Sequence, residues 1–156
     1  MVFDTNVYVA AVREGVSGSA FARIRESAPR TFLASVVSAE LRAGAMDRTG
    51  RLVVLELIDR FDRLRRVVTP DARSWNLAGD VLGDIRRREP GPRAKIASLW
   101  NDALIALSAR QIGASIVTDN VKDFELLYFC AAFGRHLDDL YNTFSPLKAD
   151  PRRRPK

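Results

Sequence analysis

The chain has 156 residues, 47% of them hydrophobic and 28% charged, a composition that suits one folded domain and argues against disorder or a membrane protein. Its 25 Lys and Arg residues against 19 acidic ones give a formal charge of +6. This excess favours a polyanionic partner such as nucleic acid, although a generally basic proteome would produce the same balance.

Cysteine and histidine are too scarce to carry the chemistry. Cys130 stands alone, which excludes an internal disulfide, and His136 is the only histidine, which disfavours a zinc site or a histidine-based triad. In its apolar run, Cys130 is expected to be a packed thiol. The sequence also shows no apolar run of membrane-spanning length and opens without a secretion signal, so a cytoplasmic protein is expected.

The first half of the chain alternates short strands with amphipathic helices. Residues 1–3 form a short apolar strand, and capping residues after it begin a helix at 7–12. A second helix ends near residue 28, and Pro29 directs the chain into a strand at 31–34. The helix that carries Glu40 comes next, and apolar residues at helical spacing from Leu52 to Leu64 predict another.

The second half continues the alternation. Residues 67–68 predict a third strand, Pro70 and Asp71 a helix start, and residues 93–95 a mobile basic loop after a Pro and Gly breaker. Residues 96–112 predict a buried helix, 115–118 a fourth strand and 119–123 a turn, while 124 onward suits helix or strand. The pattern predicts an α/β layer fold with a parallel sheet at 1–145 and a basic, disordered tail at 146–156.

Acidic residues from separate segments are predicted to meet at one edge of this sheet. Asp4 and the turn with Asp119 and Asp123 follow strands, and ligands of open parallel sheets bind beyond the carboxyl ends of the strands. The helix from Asp102 to its end is about 14 Å long, and the next strand runs back over about 13 Å, which returns Asp102 to the same edge. Glu40 lies in the first turns after the second strand and tilts towards that edge.

Each acid also has a structural interpretation. Asp4 suits a helix cap, Glu40 a solvated helix residue, and Asp119 and Asp123 turn positions. Asp102 is the hardest to explain in this way, because it lies in a helix that is apolar almost all round. Several buried carboxylates at one place indicate a hard divalent cation, Mg²⁺ or Mn²⁺, rather than zinc.

Four short motifs, in this order, resemble those of PIN-domain ribonucleases, especially the VapC-type toxins. They are VFDTNV at 2–7, SVVSAELRAG at 35–44, NDALIA at 101–106 and VTDNVKDF at 117–124. The resemblance covers about residues 1–127 and implies a three-layer α/β/α fold around a central parallel sheet of four to five strands. Each motif is weak by itself, whereas their order and spacing together are specific.

The resemblance implies which residues form the site. Asp4, Glu40 and Asp102 fall on the acidic metal-binding positions, and Asp123 is preferred to Asp119 as the fourth. Supporting polar positions fall on Thr5, Asn6, Thr118 and Asn120. Charge alone suggests phosphate contacts for Arg13, Arg42, Arg93 and Lys95.

The implied activity is Mg²⁺-dependent hydrolysis of RNA phosphodiesters by an activated water. The implied assembly is a homodimer that a small antitoxin neutralises, with the apolar helices between Val7 and Leu64 as candidate surfaces. No membrane partner is expected.

Two other functions remain open from the sequence. A phosphatase of the haloacid dehalogenase type also places an aspartate after its first strand, but it needs a second aspartate two residues later, where this chain has Asn6. The other is a PIN domain without catalytic activity that binds RNA. The presence of Asp4, Glu40 and Asp102 argues against that loss of activity.

Overall fold

A computed structural model describes residues 1–14, 17–88 and 93–133 of the chain. The predicted tail at 146–156, His136 and the side chain of Cys130 lie outside the described part, so those predictions stand as made. The same holds for the side chains of Arg93 and Lys95.

Four short strands lie side by side, and all of their pairings are parallel. They are β1 (Val2–Phe3), β2 (Leu33–Ala34), β3 (Val67–Val68) and β4 (Ile116–Val117). β1 pairs with β4, β2 pairs with β3, and a bridge between Val2 and Phe32 joins the two pairs. The order across the sheet is therefore β4, β1, β2, β3, and the first and last of these four described strands are neighbours.

Helices connect and cover the strands. They are α1 (Thr5–Glu14), α2 (Ser19–Ser27), α3 (Ser35–Gly44), α4 (Arg48–Arg63), α5 (Ala72–Arg88), α6 (Arg93–Gln111) and α7 (Val121–Phe133). Side chains cap two of them: Asp47 accepts from the Gly50 amide at 2.7 Å, and Asp71 accepts from the Ser74 amide at 2.7 Å. The predicted α/β fold with parallel strands is confirmed.

Several local predictions change in the structure. The loop predicted at 93–95 is wrong, because these residues form the first turn of α6. The turn predicted at 119–123 is too long, because α7 already begins at Val121, and the segment after residue 124, left open between helix and strand, is helical in α7. β1, β2 and β4 are shorter than the runs that predicted them, whereas β3 covers the predicted residues 67–68. Gly113 follows α6 with a φ of 63°, a backbone conformation that glycine adopts without steric cost.

The hydrophobic core has two parts that share α6. One surrounds the sheet and includes Phe3, Leu33 and Ile105, and the other lies between α5, α6 and α7 and includes Leu82 and Leu99. Because both parts pack against α6, the prediction of a buried helix is confirmed and the helix has little freedom to move. No helix in the described part of the chain is long and apolar enough to cross a membrane.

Candidate active site

Asp4 lies where β1 ends and α1 begins, in a buried position with 4% of its surface exposed. Its Oδ1 accepts a hydrogen bond from the Thr5 amide at 2.7 Å, so it does interact with the first turn of the helix. Its Oδ2 accepts from the Thr118 hydroxyl at 2.7 Å. Burial raises the pKa of Asp4, these two hydrogen bonds oppose the increase, and the nearby Glu40 and Asp119 carboxylates add to it.

Thr118 links the ends of β1 and β4. While its hydroxyl donates to Asp4, its oxygen accepts from the Asn6 side chain at 3.2 Å and from the Asn120 amide at 2.9 Å. The hydroxyl is buried, so each of these bonds replaces one that water would otherwise make. The Asp4 carboxylate is thereby fixed from two sides by uncharged groups.

Glu40 reaches the same place from α3. The Thr5 hydroxyl donates to its Oε2 in a very short contact, and the Asn101 side chain donates to its Oε1 at 2.7 Å. Thr5 follows Asp4 in the chain and Asn101 precedes Asp102, so Glu40 is held between the two other principal acids. Its position at the sheet edge agrees with the sequence prediction.

Asp102 and Asp123 complete the group. The side-chain amide of Asn120 donates to Asp123 at 3.0 Å and lies 3.5 Å from Asp102, which connects the two carboxylates. Burial, followed in decreasing order by the carboxylates of Asp4, Asp123 and Glu40, raises the pKa of Asp102 to about 7. Asp102 is therefore close enough to Asp4, Asp123 and Glu40 to be affected by the charge of each.

Asp119 lies at the rim instead. Its side chain is 39% exposed and forms an ion pair with Arg23 of α2 at 3.7 Å. Its backbone amide donates to Asn6 at 3.4 Å, and its charge makes the last and smallest contribution to the raised pKa of Asp4. Asp123 thus lies beside Asn120 and Asp102, whereas Asp119 lies further out, and the ranking of Asp123 above Asp119 stays a prediction.

The donor set suits a hard cation. In the described ranges, no three His, Cys, Asp or Glu side chains stand together as a ready metal-binding cluster. The charges that raise the pKa of Asp102 nevertheless all belong to carboxylates, and a partly buried group of like charges is costly without a counter-ion. Oxygen ligands of this kind fit Mg²⁺ or Mn²⁺, and Asp4, Glu40, Asp102 and Asp123 are the residues available to hold such an ion.

The sequence missed two contributors. Asn101 appeared in the sequence only as the first residue of a motif, yet its side chain orients Glu40. Its position next to Asp102 was the one sign in the sequence that it could have such a role. Arg23 was not singled out, because nothing in its local sequence indicates the distant Asp119. Arg13 and Arg42, suggested as phosphate contacts from charge, are exposed on α1 and α3, and their role stays a prediction.

With this geometry established, comparison with known proteins identifies the family. The family model described as PIN domain matches residues 1–129, so the chain belongs to the PIN-domain family, whose members are generally nucleases. No curated protein matches the chain significantly.

Solved structures support the fold. A chain in the crystal structure of DNA-bound VapBC from Salmonella typhimurium is similar over 80% of this chain and 89% of its own, with 21% identity and a TM-score of 0.58. A chain of VapBC2 from Rickettsia felis, bound to a DNA fragment from their promoter, is similar over 80% and 92%, with 23% identity and a TM-score of 0.54. The resemblance seen in the four sequence motifs is confirmed at the level of family and fold.

Proposed function

We propose that this chain is a Mg²⁺-dependent endoribonuclease and the toxin of a toxin–antitoxin pair. The observation that supports it best is the group of coupled carboxylates: burial and three neighbouring acids raise the pKa of Asp102 to about 7. This group lies on a PIN fold, at the carboxyl ends of β1 and β4. A protein without need of a cation would have little reason to gather such charges.

In this proposal the four acids have two different roles. Asp4 and Asp102 are the principal metal ligands, and Glu40 and Asp123 hold a second ion or orient the attacking water. Bound Mg²⁺, or Mn²⁺ in its place, supplies a water of lowered pKa and neutralises charge on the phosphate. Thr118 and Asn120 keep the carboxylates of Asp4 and Asp123 in fixed orientations through the hydrogen bonds described above.

The polar groups around the acids support direct hydrolysis by water rather than a route through an aspartyl-phosphate intermediate. Asn6 occupies the position where an aspartyl-phosphate enzyme needs its acid, and its amide nitrogen donates to Thr118. An amide cannot exchange a proton with a leaving group as a carboxyl does. The haloacid dehalogenase alternative therefore lacks a group in the required place.

The proposal extends to partners and cell compartment. The two similar structures are of VapBC complexes, so we infer an antitoxin partner for this chain as well. Large apolar side chains are exposed along the stretch expected to supply the antitoxin and homodimer surfaces: Val12, Met46, Leu52, Val53 and Leu55. We also propose a cytoplasmic site of action, one domain at 1–145 and a tail at 146–156.

The decisive experiment is cleavage of a random-sequence RNA pool by the purified protein with Mg²⁺, Mn²⁺ or EDTA. We expect metal-dependent cleavage that falls by at least about a hundredfold in Asp4→Asn and in Asp102→Asn. Asp62→Asn, an exposed aspartate on α4, is the matched control and should cleave like the parent. Equal cleavage by all four proteins would refute the proposed site.

Two further outcomes would point to the other functions. RNA binding without cleavage under any metal condition would identify an inactive PIN domain. A covalent adduct on Asp4 after treatment with a phosphate mimic would identify a phosphatase. Replacing the RNA pool with DNA tests the choice of substrate independently of the choice of site.

A further inference from the structure

Arg23 occupies an unusual place on its helix. Ala20 and Ser27 of α2 are buried, and Ile24 packs against the part of the core that surrounds the sheet. Arg23 comes three residues after Ala20 and four before Ser27, so it lies at the edge of this inward stripe, and its side chain is 42% exposed. Arg25 lies on the opposite, exposed side.

Contacts between α1 and α2 fix the position of this arginine. The Glu14 carboxylate at the end of α1 accepts from the Ala20 amide at 3.0 Å and from the Ser19 hydroxyl at 3.3 Å. The beginning of α2 is thereby tied to the helix that starts immediately after Asp4. Arg23 lies about one helical turn beyond this contact along α2.

The ion pair of Arg23 is connected to Asp4 by a series of hydrogen bonds. Asp119, the partner of Arg23 at 3.7 Å, donates its amide to Asn6, and Asn6 bonds to the Thr118 hydroxyl that holds Asp4. By contrast, the pairs of Arg63 with Asp59 and of Arg87 with Asp84 lie within single helices. The Arg23 guanidinium thus stands at the rim of the carboxylate group, on the side of the β4 turn.

Arg23 can exchange Asp119 for a phosphate as its partner at little cost. The two side chains are 42% and 39% exposed, and such exposed pairs contribute only about 0–1 kcal/mol. The 3.7 Å contact with Asp119 is longer than a hydrogen bond, whereas two oxygens of a phosphate can accept a bidentate, charge-assisted pair of hydrogen bonds from the guanidinium. Replacing Asp119 by a phosphate therefore costs little and brings a polyanion to an otherwise acidic site.

We propose that Arg23, held at the rim by Asp119, binds a non-scissile phosphate of the RNA next to the bond that is cleaved. Arg23 is then a positioning residue, and Asp119 is its resting partner rather than a metal ligand. The inference rests on the proposed ribonuclease function, which supplies the substrate.

Steady-state cleavage of RNA by four variants tests the inference. For Arg23→Gln we expect KM to rise about five- to tenfold with kcat within about twofold of the parent, because one charge-assisted contact is lost. Arg23→Lys should recover part of this loss, and Arg25→Gln, on the exposed face of the same helix, should leave both constants within about twofold. Asp119→Asn should lower KM or leave it unchanged, because it removes a competitor for the guanidinium.

Binding measurements separate this inference from the function on which it rests. Labelled random-sequence single-stranded RNA is titrated onto Asp102→Asn with and without Arg23→Gln over a range of salt concentrations. We expect the second substitution to reduce the slope of log Kd against log salt by about 0.7, the value for one phosphate contact on a single strand. Arg25→Gln in the same background is the control.

The outcomes are distinguishable. If the parent cleaves RNA and Arg23→Gln behaves like Arg25→Gln in KM and salt slope, the inference is wrong and the function stands. If the parent binds RNA without cleaving it and the slope still falls with Arg23→Gln alone, the nuclease proposal is wrong and the phosphate contact stands. A loss of kcat with unchanged KM in Arg23→Gln, or failure of the protein to bind RNA, would overturn the inference.

Discussion

Replacing Asp102 by asparagine should stabilise the metal-free protein while abolishing its activity. The pKa of Asp102 is raised from 3.8 to about 7, first by burial and then by Asp4, Asp123 and Glu40. An acid whose pKa is higher in the folded state stabilises the fold fully below its unfolded pKa, and that stabilisation is lost as the pH rises through the folded value. The stabilisation is therefore lost between about pH 4 and about pH 7.

The size of the effect follows from the shift. Since the Asp102 side chain is partly exposed, the full shift must be discounted for solvent screening, which leaves about 1–2 kcal/mol at neutral pH and above. Asparagine has nearly the same shape and no charge, so Asp102→Asn should unfold at higher urea concentration than the parent at about pH 8 in EDTA. At about pH 4 the difference should vanish.

Urea unfolding of both proteins at the two pH values, with and without Mg²⁺, is the assay. Mg²⁺ should stabilise the parent by mass action and have a much smaller effect on Asp102→Asn. Asp62→Asn on the exposed side of α4 controls for removal of a carboxylate as such. A variant no more stable than the parent at high pH, or equally stabilised at both pH values, would refute the electrostatic reasoning.

Substitutions at three further positions test two of the groups that contact the acids and one buried core hydroxyl. Thr118→Val should lose about 1–3 kcal/mol of stability and most cleavage activity, whereas Thr118→Ser should resemble the parent in thermal unfolding and RNA cleavage, because the hydroxyl holds Asp4. Asn101→Ala should lower kcat about tenfold or more with a stability loss of about 1 kcal/mol, because Glu40 loses its donor; an unchanged kcat would exclude that role. Tyr8→Phe should keep or raise stability by up to about 1 kcal/mol, because the buried Tyr8 hydroxyl has no hydrogen-bond partner among the described residues; clear destabilisation would reveal a bound water there.

The sequence predicted the order of strands and helices well because both depend on short-range patterns. The apolar face from Leu52 to Leu64 and the capping residue Asp71 are local signals, and α4 and α5 lie where they indicate. The same reasoning failed at 93–95, where a breaker just upstream suggested a longer loop and α6 begins at once. Helix ends depend on tertiary packing, here between α5 and α6, that no local pattern records.

The position of Asp102 was predictable for a different reason. A helix followed by a strand must cover comparable lengths in opposite directions, and this places the residue near the edge that Asp4 occupies. The partners of these acids were less accessible: Asn101 and Arg23 meet Glu40 and Asp119 across large sequence separations. Which polar side chains meet at that range depends on the packing of α2 and α3, and the sequence gives no measure of it.

The chemistry of the hydrogen-bond donors explains how this site can keep its charge. In the described part of the chain, hydroxyls, side-chain amides and one backbone amide contact Asp4, Glu40, Asp102 and Asp123. These groups orient carboxylates without neutralising them, so the negative potential that attracts a divalent cation is preserved. A lysine or arginine in their place would compete with the metal for the same oxygens. The guanidinium of Arg23 instead pairs with Asp119 at the rim, where a cation can meet the substrate without displacing the metal.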